Sequence, residues 1–361
     1  MIVRLSLCTA LCALACCRDF TPRALDGHLV GRARAERYEA PDYACVRKAG
    51  SDLRAMPKTA AMPGEPAVFT IVFPAGGTKV DAPLVFMPHG DSFEFIEEIA
   101  TRTIQRLRLE DDPQALFATL GTPEQSTRAS AEERIATTES SAIAKALVAT
   151  GAALVIPGNC WGDGGHGVGE RAASFYTAQR FGGTFDAKVW QYAREQVIHA
   201  ADREWAVVCS GGGRRAIELV QRDPSAFDAI VLDSPADDVT AFLEAPRPES
   251  LAIAGVAMDD AAIGAVFERF WTGIYGGKAK AYASSLADDL DGGRLRTPIY
   301  LAYSTNDPIV TAPVTRRLVE AMARAASATR RTAVFDEKRH CQLQDDAAIQ
   351  PALEWLTSVG R

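Results

Sequence analysis

The sequence has no apolar run long enough to cross a membrane, few histidines and no excess of basic residues. A membrane-spanning helix needs about 20 apolar residues, and none of the 361 residues lie in such a stretch. The net charge is −7, whereas binding to nucleic acid needs a clustered basic surface. The chain contains five histidines and has no Cys-x-x-Cys pair. We therefore expect no spanning helix, no nucleic-acid partner and no metal site.

The first residues have the pattern of a bacterial export signal. One positive charge at Arg4 precedes an apolar run at 5–16, which contains the small-x-small triplet at 13–15. We predict a signal peptide over 1–17 and a secreted, periplasmic or cell-envelope protein. Cleavage before Cys16 or Cys17 would produce a lipoprotein, attached to the membrane through its N-terminal lipid only.

Beyond residue 66, short apolar segments alternate with amphipathic helical patterns. Residues 18–66 are polar and are expected to wrap the surface. The continuous β-branched runs are typical of strands buried on both faces of a mostly parallel sheet, and the alternation predicts a doubly wound α/β domain over 18–361. Strands are predicted at 67–73, 83–87, 153–156, 205–208, 229–232, 298–302 and 332–335, and helices at 141–150, 185–200, 214–221, 312–325 and 347–359.

Two connections are longer than strand–helix units require. Residues 91–140 are charged and helical in pattern, so we interpret them as a helical insertion. Residues 236–296 contain an aromatic segment around Trp271, and we interpret them as a small helical cap over the site. The aromatic side chains of this segment belong either to the core or to a substrate contact.

The segment around Ser210 has the features of a nucleophile elbow. A predicted strand runs into Ser210, and a helix follows three glycines, Gly211, Gly212 and Gly213. Val208 stands where the usual G-x-S-x-G pattern has its first glycine. An ordinary glycine-rich turn is the alternative; a phosphate loop is disfavoured because no Lys-Ser/Thr pair follows the glycines.

Two further polar residues follow predicted strands in the order that α/β-hydrolases use, which is serine, acid, histidine. Asp307 comes after the strand at 298–302, and His340 comes after the strand at 332–335. Open α/β sheets place their sites at the carboxyl ends of strands. We therefore predict that His340 is the base for Ser210 and that Asp307 orients it. This chemistry needs no cofactor.

The oxyanion of the tetrahedral intermediate needs two preorganised N–H donors. The residue after the nucleophile, Gly211, is predicted to supply one of them. The loop after the strand at 83–87 is predicted to supply the other through Gly90 or Asp91, next to His89, which is a candidate for lining the site.

The motifs resemble those of the tannase and feruloyl-esterase family of α/β-hydrolases. The elbow at 209–214 matches that family's Cys-Ser-x-Gly-Gly-Arg, and His340 is followed by Cys341. The resemblance implies a disulfide between Cys209 and Cys341, which leaves Cys45 and Cys160 to pair with each other. It also implies hydrolysis of a phenolic or aromatic-acid ester.

Other parts of the chain follow the family only in part. Asp163 and His166 stand where the family has an Asp-Thr-Gly-His segment, and with Trp271 they are further candidates for lining the site. The predicted cap at 236–296 is shorter than the family's lid and contains no cysteine. A Pro-His-Gly-Asp segment at 88–91 replaces the family's glycine-rich loop.

The sequence thus predicts a secreted serine carboxylic ester hydrolase that acts on a small-molecule ester. An esterase for short aliphatic or hydroxyalkanoate esters is the nearest alternative, and a peptidase of the same fold is a further one. A non-catalytic surface-binding lipoprotein on a hydrolase scaffold is the alternative of a different class.

Overall fold

The computed structural model describes residues 20–45, 65–74, 82–88, 128–158, 183–197, 203–235, 286–308, 310–325 and 329–359. The strands are β1 (Arg23–Val30), β2 (Ala33–Cys45), β3 (Glu65–Phe73), β4 (Leu84–Phe86), β5 (Ala153–Pro157), β6 (Glu204–Cys209), β7 (Ala229–Asp233), β8 (Ile299–Ser304) and β9 (Arg330–Phe335). The helices are α1 (Arg128–Ser140), α2 (Ala142–Ala149), α3 (Gly183–Val197), α4 (Gly212–Arg222), α5 (Leu286–Asp291), α6 (Ala312–Arg324) and α7 (Asp346–Val359).

All nine strands form one sheet, in the order β1-β2-β3-β5-β4-β6-β7-β8-β9. The neighbours from β5 to β9 pair in parallel, whereas β1, β2 and β3 pair in antiparallel fashion and β3 pairs antiparallel with β5. The seven strands predicted beyond residue 66 are all present, with ends within a few residues of the prediction. The mostly parallel α/β sheet is confirmed.

The expectation that residues 18–66 only wrap the surface was wrong for β1 and β2. These strands extend the sheet, and Ala33, Ala35 and Ala40 of β2 are buried in the core. Charged residues lie between these small side chains, so the average composition of the segment is polar. An antiparallel strand with one covered face has this mixed composition, whereas a parallel core strand does not.

Helices pack on both faces of the sheet. Phe86 of β4 contacts Trp190 of α3, with ring centroids 5.7 Å apart, and Tyr300 of β8 contacts Trp355 of α7 at 5.6 Å. Phe86 is the register partner of Ala206 in β6, which pairs with Ile230 in β7, which in turn pairs with Ile299 in β8. Paired residues share a face and successive residues alternate, so Phe86 and Tyr300 lie on opposite faces. The sheet is therefore covered by α3 on one side and α7 on the other.

Strand β9 lies at one edge of the sheet. Arg331, Thr332 and Val334 are exposed, and the other three residues of the strand are half-buried. The prediction of a strand buried on both faces was therefore wrong for this edge strand.

The two long connections are described in part. Helix α1 forms the end of the predicted insertion 91–140, and α5 lies within the predicted cap 236–296. Residues 91–127 and 236–285, and the predicted signal at 1–17, fall outside the described residues, so the insertion, cap and signal stay predictions. None of the helices described is long and apolar enough to cross a membrane.

Candidate active site

Ser210 lies at a sharp turn between β6 and α4. Its backbone φ is +53°, a left-handed value that non-glycine residues adopt rarely and that often marks functional sites. The Ser210 N–H donates to the Asp233 carbonyl at 2.8 Å, and the Ser210 carbonyl accepts from the Gly213 N–H at 3.1 Å. A strand, a strained serine and an immediate helix form the geometry of a nucleophile elbow.

Helix α4 is held tightly behind the elbow. A Cβ atom placed on Gly213 would lie 3.4 Å from side-chain atoms of Leu232 and of Pro235, so the helix crosses close to the neighbouring strand. The Arg215 guanidinium donates to both carboxylate oxygens of Asp186, at 2.7 and 2.6 Å, in a buried pair. This pair joins α4 to the start of α3 and restrains the helix that follows Ser210.

Asp307 and His340 meet at the carboxyl ends of β8 and β9. The His340 Nδ1 lies 2.9 Å from the Asp307 Oδ2, and the Asp307 Oδ1 accepts the Val310 N–H at 2.9 Å. The Asp307 carboxylate is nearly fully buried, while the His340 side chain is 17% exposed. The hydrogen-bond partners of Asp307 therefore lie inside the protein. The His340 imidazole contacts Asp307 through Nδ1, and part of the ring is exposed to solvent.

The two loops that carry this pair are bonded to each other. The Thr305 N–H donates to the Phe335 carbonyl at 3.0 Å, and the Ser304 hydroxyl donates to the Glu337 carbonyl at 2.7 Å. The Asn306 side-chain amide donates to the Asp336 carbonyl at 2.7 Å. These bonds continue the β8–β9 pairing beyond the strands and keep the acid and histidine loops in register.

A disulfide joins Cys209, just before the serine, to Cys341, just after the histidine, with the Cα atoms 5.9 Å apart. A ring nitrogen of His340 and the two sulfur atoms all lie within 4.8 Å of one another. Within the described ranges this is the one group with metal-ligand spacing. It does not form a metal site, because both sulfurs are bonded to each other and neither is a thiolate.

Reduction of this disulfide should lower activity more than it lowers helix content. The bridge closes a loop of 132 residues, and loss of such a link costs about 2–5 kcal/mol of stability. It also removes the covalent restraint between the serine and histidine loops. Ester hydrolysis, free thiols and circular dichroism should be followed together during treatment with dithiothreitol. Unchanged activity after both thiols are free would show that the bridge has no part in positioning the site.

Asp233 is a residue of the site that the sequence interpretation missed. It ends β7, is 4% exposed, and accepts the N–H groups of Gln342 at 2.7 Å and Leu343 at 2.9 Å. Its neighbour Ser234 accepts the Cys341 N–H through Oγ at 3.3 Å. Asp233 is an acidic residue at the end of β7, the strand next to β6. That position was the only feature of the sequence that could have indicated its place in the site.

The Asp233 carboxyl should make stability depend on pH. Burial raises the pKa of Asp233 to about 6, although the hydrogen bonds from Leu343 and Gln342 act in the opposite direction. The titratable groups that face Asp233 are His340 and Tyr300. Because the ordinary value is 3.8, the folded protein binds more protons than the unfolded chain between these values. The stability that protonation of Asp233 contributes is fully present below pH 3.8, the ordinary pKa, and is lost as pH rises through about 6, the pKa in the folded protein.

This sign is tested by comparison with Asp233→Asn, which cannot titrate. The free energy of unfolding of the wild type minus that of the variant should fall as pH rises from about 4 to about 6.5, and then level off. Urea denaturation at several pH values measures both quantities. A difference that increases with pH over this window would contradict the prediction.

Several predicted residues fall outside the described part of the chain. They are the oxyanion-loop residues Gly90 and Asp91, the candidates for lining the site His89, Asp163, His166 and Trp271, and Cys160. The side chain of Cys45 is not described either, so the Cys45–Cys160 pairing stays a prediction. The structure brings together the turn that carries Ser210, the Asp307–His340 pair and the Cys209–Cys341 disulfide.

No family model matches the sequence, and no curated protein matches it. Similar solved structures include a puromycin-hydrolysing peptidase from Mycobacterium tuberculosis, which is 14% identical with a TM-score of 0.49 over 91% of this chain and 46% of that one. An S-formylglutathione hydrolase from Agrobacterium tumefaciens is 11% identical with a TM-score of 0.45 over 94% and 100% of the two chains. A fluorophosphonate-binding serine hydrolase from Staphylococcus aureus is 12% identical with a TM-score of 0.44 over 91% and 100%.

The chain spans about half the length of the peptidase. Its fold is defined by its own topology. A central run of parallel strands is extended by antiparallel strands at one edge, and α4 leaves the sheet directly after the strained Ser210. Asp307 follows β8, and His340 follows β9, the last strand of the chain. This arrangement is the α/β-hydrolase fold.

Proposed function

We propose that the protein is a serine hydrolase that cleaves carboxylic esters through an acyl-serine intermediate. The observation that carries the proposal is the 2.9 Å contact between the His340 Nδ1 and the buried Asp307 carboxylate, beside an elbow with Ser210 at its tip. An Nδ1–H donated to Asp307 leaves Nε2 as the proton acceptor, which is the tautomer that a general base for serine requires.

The reaction has two halves. The Ser210 Oγ attacks the ester carbonyl carbon while His340 Nε2 takes the hydroxyl proton. The tetrahedral intermediate then collapses, the bond to the alkoxy oxygen breaks, and His340 returns the proton to the departing alcohol. Water attacks the acyl-serine with its proton taken by His340, and the acid leaves as the proton returns to Ser210. The imidazolium formed in each half is stabilised by Asp307, and no cofactor takes part.

The oxyanion of both intermediates requires fixed N–H donors. The Gly211 N–H is the proposed first donor, because Gly211 follows the nucleophile and begins the turn into α4. Gly90 or Asp91 is the proposed source of the second donor. Loss of one such donor typically costs about 10²–10³ in rate.

The proposed substrates are esters of phenolic or other aromatic acids. The support is the resemblance of the Cys-Ser and His-Cys pairs to the tannase and feruloyl-esterase motif, together with the Cys209–Cys341 disulfide found between them. The segments proposed to contact the acyl group are the cap at 236–296 and the residues Asp163, His166 and Trp271. An aliphatic or hydroxyalkanoate ester, or a peptide, would be the substrate if these segments form a different pocket.

Purified full-length protein tests the proposal. It should hydrolyse p-nitrophenyl acetate and become covalently labelled by a fluorophosphonate, with the label mapped to Ser210 by peptide mass spectrometry. A folded protein that takes no label would overturn the catalytic assignment and favour a binding protein on this scaffold. Methyl ferulate, a short aliphatic methyl ester and an aminoacyl p-nitroanilide at equal concentrations would then rank the three substrate classes.

We also propose that the protein is exported, as the segment at 1–17 predicts. The Cys209–Cys341 disulfide supports this, since disulfides form and persist mainly in oxidising compartments. Fractionation of cells expressing the full chain should place it outside the cytoplasm. Incorporation of radiolabelled fatty acid that is lost in a Cys16→Ser/Cys17→Ser variant would identify a lipoprotein.

A further inference from the structure

Three consecutive backbone N–H groups after His340 point at one pair of side chains. The Cys341 N–H donates to the Ser234 Oγ at 3.3 Å. The next two N–H groups, of Gln342 and Leu343, donate to separate oxygens of the Asp233 carboxylate, at 2.7 and 2.9 Å. Cys341 has a left-handed φ of +58°, and a left-handed residue of this kind lets successive N–H groups converge into a concave anion site.

The backbone of Asp233 holds the other half of the site. Its carbonyl accepts the Ser210 N–H at 2.8 Å, and its Cα is the register partner of Cys209. Asp233 therefore bonds to the nucleophile turn through its main chain and to the histidine loop through its side chain.

The burial of Asp233 needs an explanation beyond simple loop anchoring. A carboxylate at 4% exposure loses its hydration, and this cost is recovered only by well-formed hydrogen bonds. Two N–H groups of the loop that carries His340 supply short bonds to Asp233, at 2.7 and 2.9 Å, and the neighbouring Ser234 hydroxyl adds a long one at 3.4 Å. The disulfide limits how far apart the two loops can move, whereas two fixed N–H···O bonds also set the direction in which the histidine loop leaves β9.

We propose that Asp233 is a positioning residue that sets the placement of His340 relative to Ser210, by binding the N–H groups of the histidine loop while its carbonyl binds the elbow. This inference rests on the proposed serine hydrolase function. Asp233 does not touch substrate in this role, so it should affect the chemical step more than substrate binding. A displacement of about 1 Å between reacting groups can cost about 10²-fold in rate.

The test compares Asp233→Asn with a matched control, Glu39→Gln. Asparagine keeps one acceptor and turns an NH₂ toward one of the loop N–H groups. Glu39, in β2, is buried to the same degree as Asp233 and accepts from the Arg23 guanidinium, on a strand near the opposite edge of the sheet that bears none of the catalytic loops. Both variants lose a buried carboxylate, but only Asp233→Asn should disturb the histidine loop.

Three quantities should be measured: thermal stability, kcat and KM for p-nitrophenyl acetate, and the rate of fluorophosphonate labelling. We expect Asp233→Asn to lower kcat and the labelling rate about 10²-fold, with KM within about twofold of the wild type. Glu39→Gln should lower stability by a similar amount and leave both rates within about twofold. A folded Asp233→Asn with wild-type rates, or equal losses in the two variants, would overturn the positioning role.

A second variant covers the case in which Asp233→Asn does not fold. Ser234→Ala removes the acceptor of the Cys341 N–H and of the Gln342 side-chain amide, together with the hydroxyl that donates to Asp233 at 3.4 Å. It should lower the labelling rate about 3- to 10-fold, because each of these bonds is long and weak. Wild-type labelling by Ser234→Ala would then count against the role. If the wild-type protein itself takes no label, the proposed function fails first and the positioning role fails with it.

Discussion

Replacement of Ser210 by alanine should reduce ester hydrolysis by about 10⁶-fold, the loss found when the serine of such a triad is removed. Without the hydroxyl, His340 has no proton to accept and no acyl intermediate forms. The rest of the elbow should persist, because its bonds run through the Ser210 backbone N–H and carbonyl. Hydrolysis of p-nitrophenyl acetate, with thermal stability measured in parallel, checks this result.

Ser225→Ala is the matched control for this variant. Its hydroxyl is exposed and donates to Asp223 at 2.6 Å, beyond the far end of α4, so its loss should leave activity within about twofold of the wild type. A Ser210→Ala protein that retains a tenth of the activity would exclude Ser210 as the nucleophile and leave the elbow as an ordinary strand–helix turn.

Replacement of Asp307 by asparagine should lower kcat by about 10⁴-fold, the effect of this change in serine proteases that use the same triad. An amide in place of the carboxylate favours a hydrogen bond from its NH₂ to Nδ1, and the proton then resides on Nε2. His340 would face Ser210 with a donor where it needs an acceptor. Steady-state kinetics of the purified variant measure the effect.

Asp336→Asn provides the control for the acid. Asp336 is exposed on the loop between β9 and His340, and its contact with Asn306 is made by its backbone carbonyl, which the substitution keeps. We expect activity within about twofold of the wild type. If Asp307→Asn behaved like this control, the 2.9 Å contact with His340 would be structural, and another group would have to orient the imidazole.

The strands of the parallel sheet were predictable because each is a continuous apolar run. A strand that is buried on both faces has no polar positions to interrupt it, and β5 and β7 are buried at every residue. β1 and β2 were missed because a strand with one covered face mixes charged and small residues. β9 was predicted with the wrong surroundings, because its edge position depends on the strand order and not on its own composition.

The triad residues and Asp233 show why one part of the site could be predicted and another could not. Ser210, Asp307 and His340 each follow a predicted strand, and their order along the chain matches one fold. Asp233 is the last residue of an apolar strand, and the N–H groups that it binds lie 109 and 110 residues further along the chain. Backbone N–H groups are present at almost every residue, so no residue pattern marks them as partners.

Local hydrophobic pattern and turn chemistry control the strands of the parallel sheet, the turn that bears Ser210 and the positions of Asp307 and His340 just past strand ends, so these features could be predicted from the sequence. The contacts between loops depend instead on how the strands are arranged in the folded protein. The pairing of Asp307 with His340, the enclosure of Asp233 by the histidine loop and the edge position of β9 all follow from strand order, which sets distances between residues far apart in the chain.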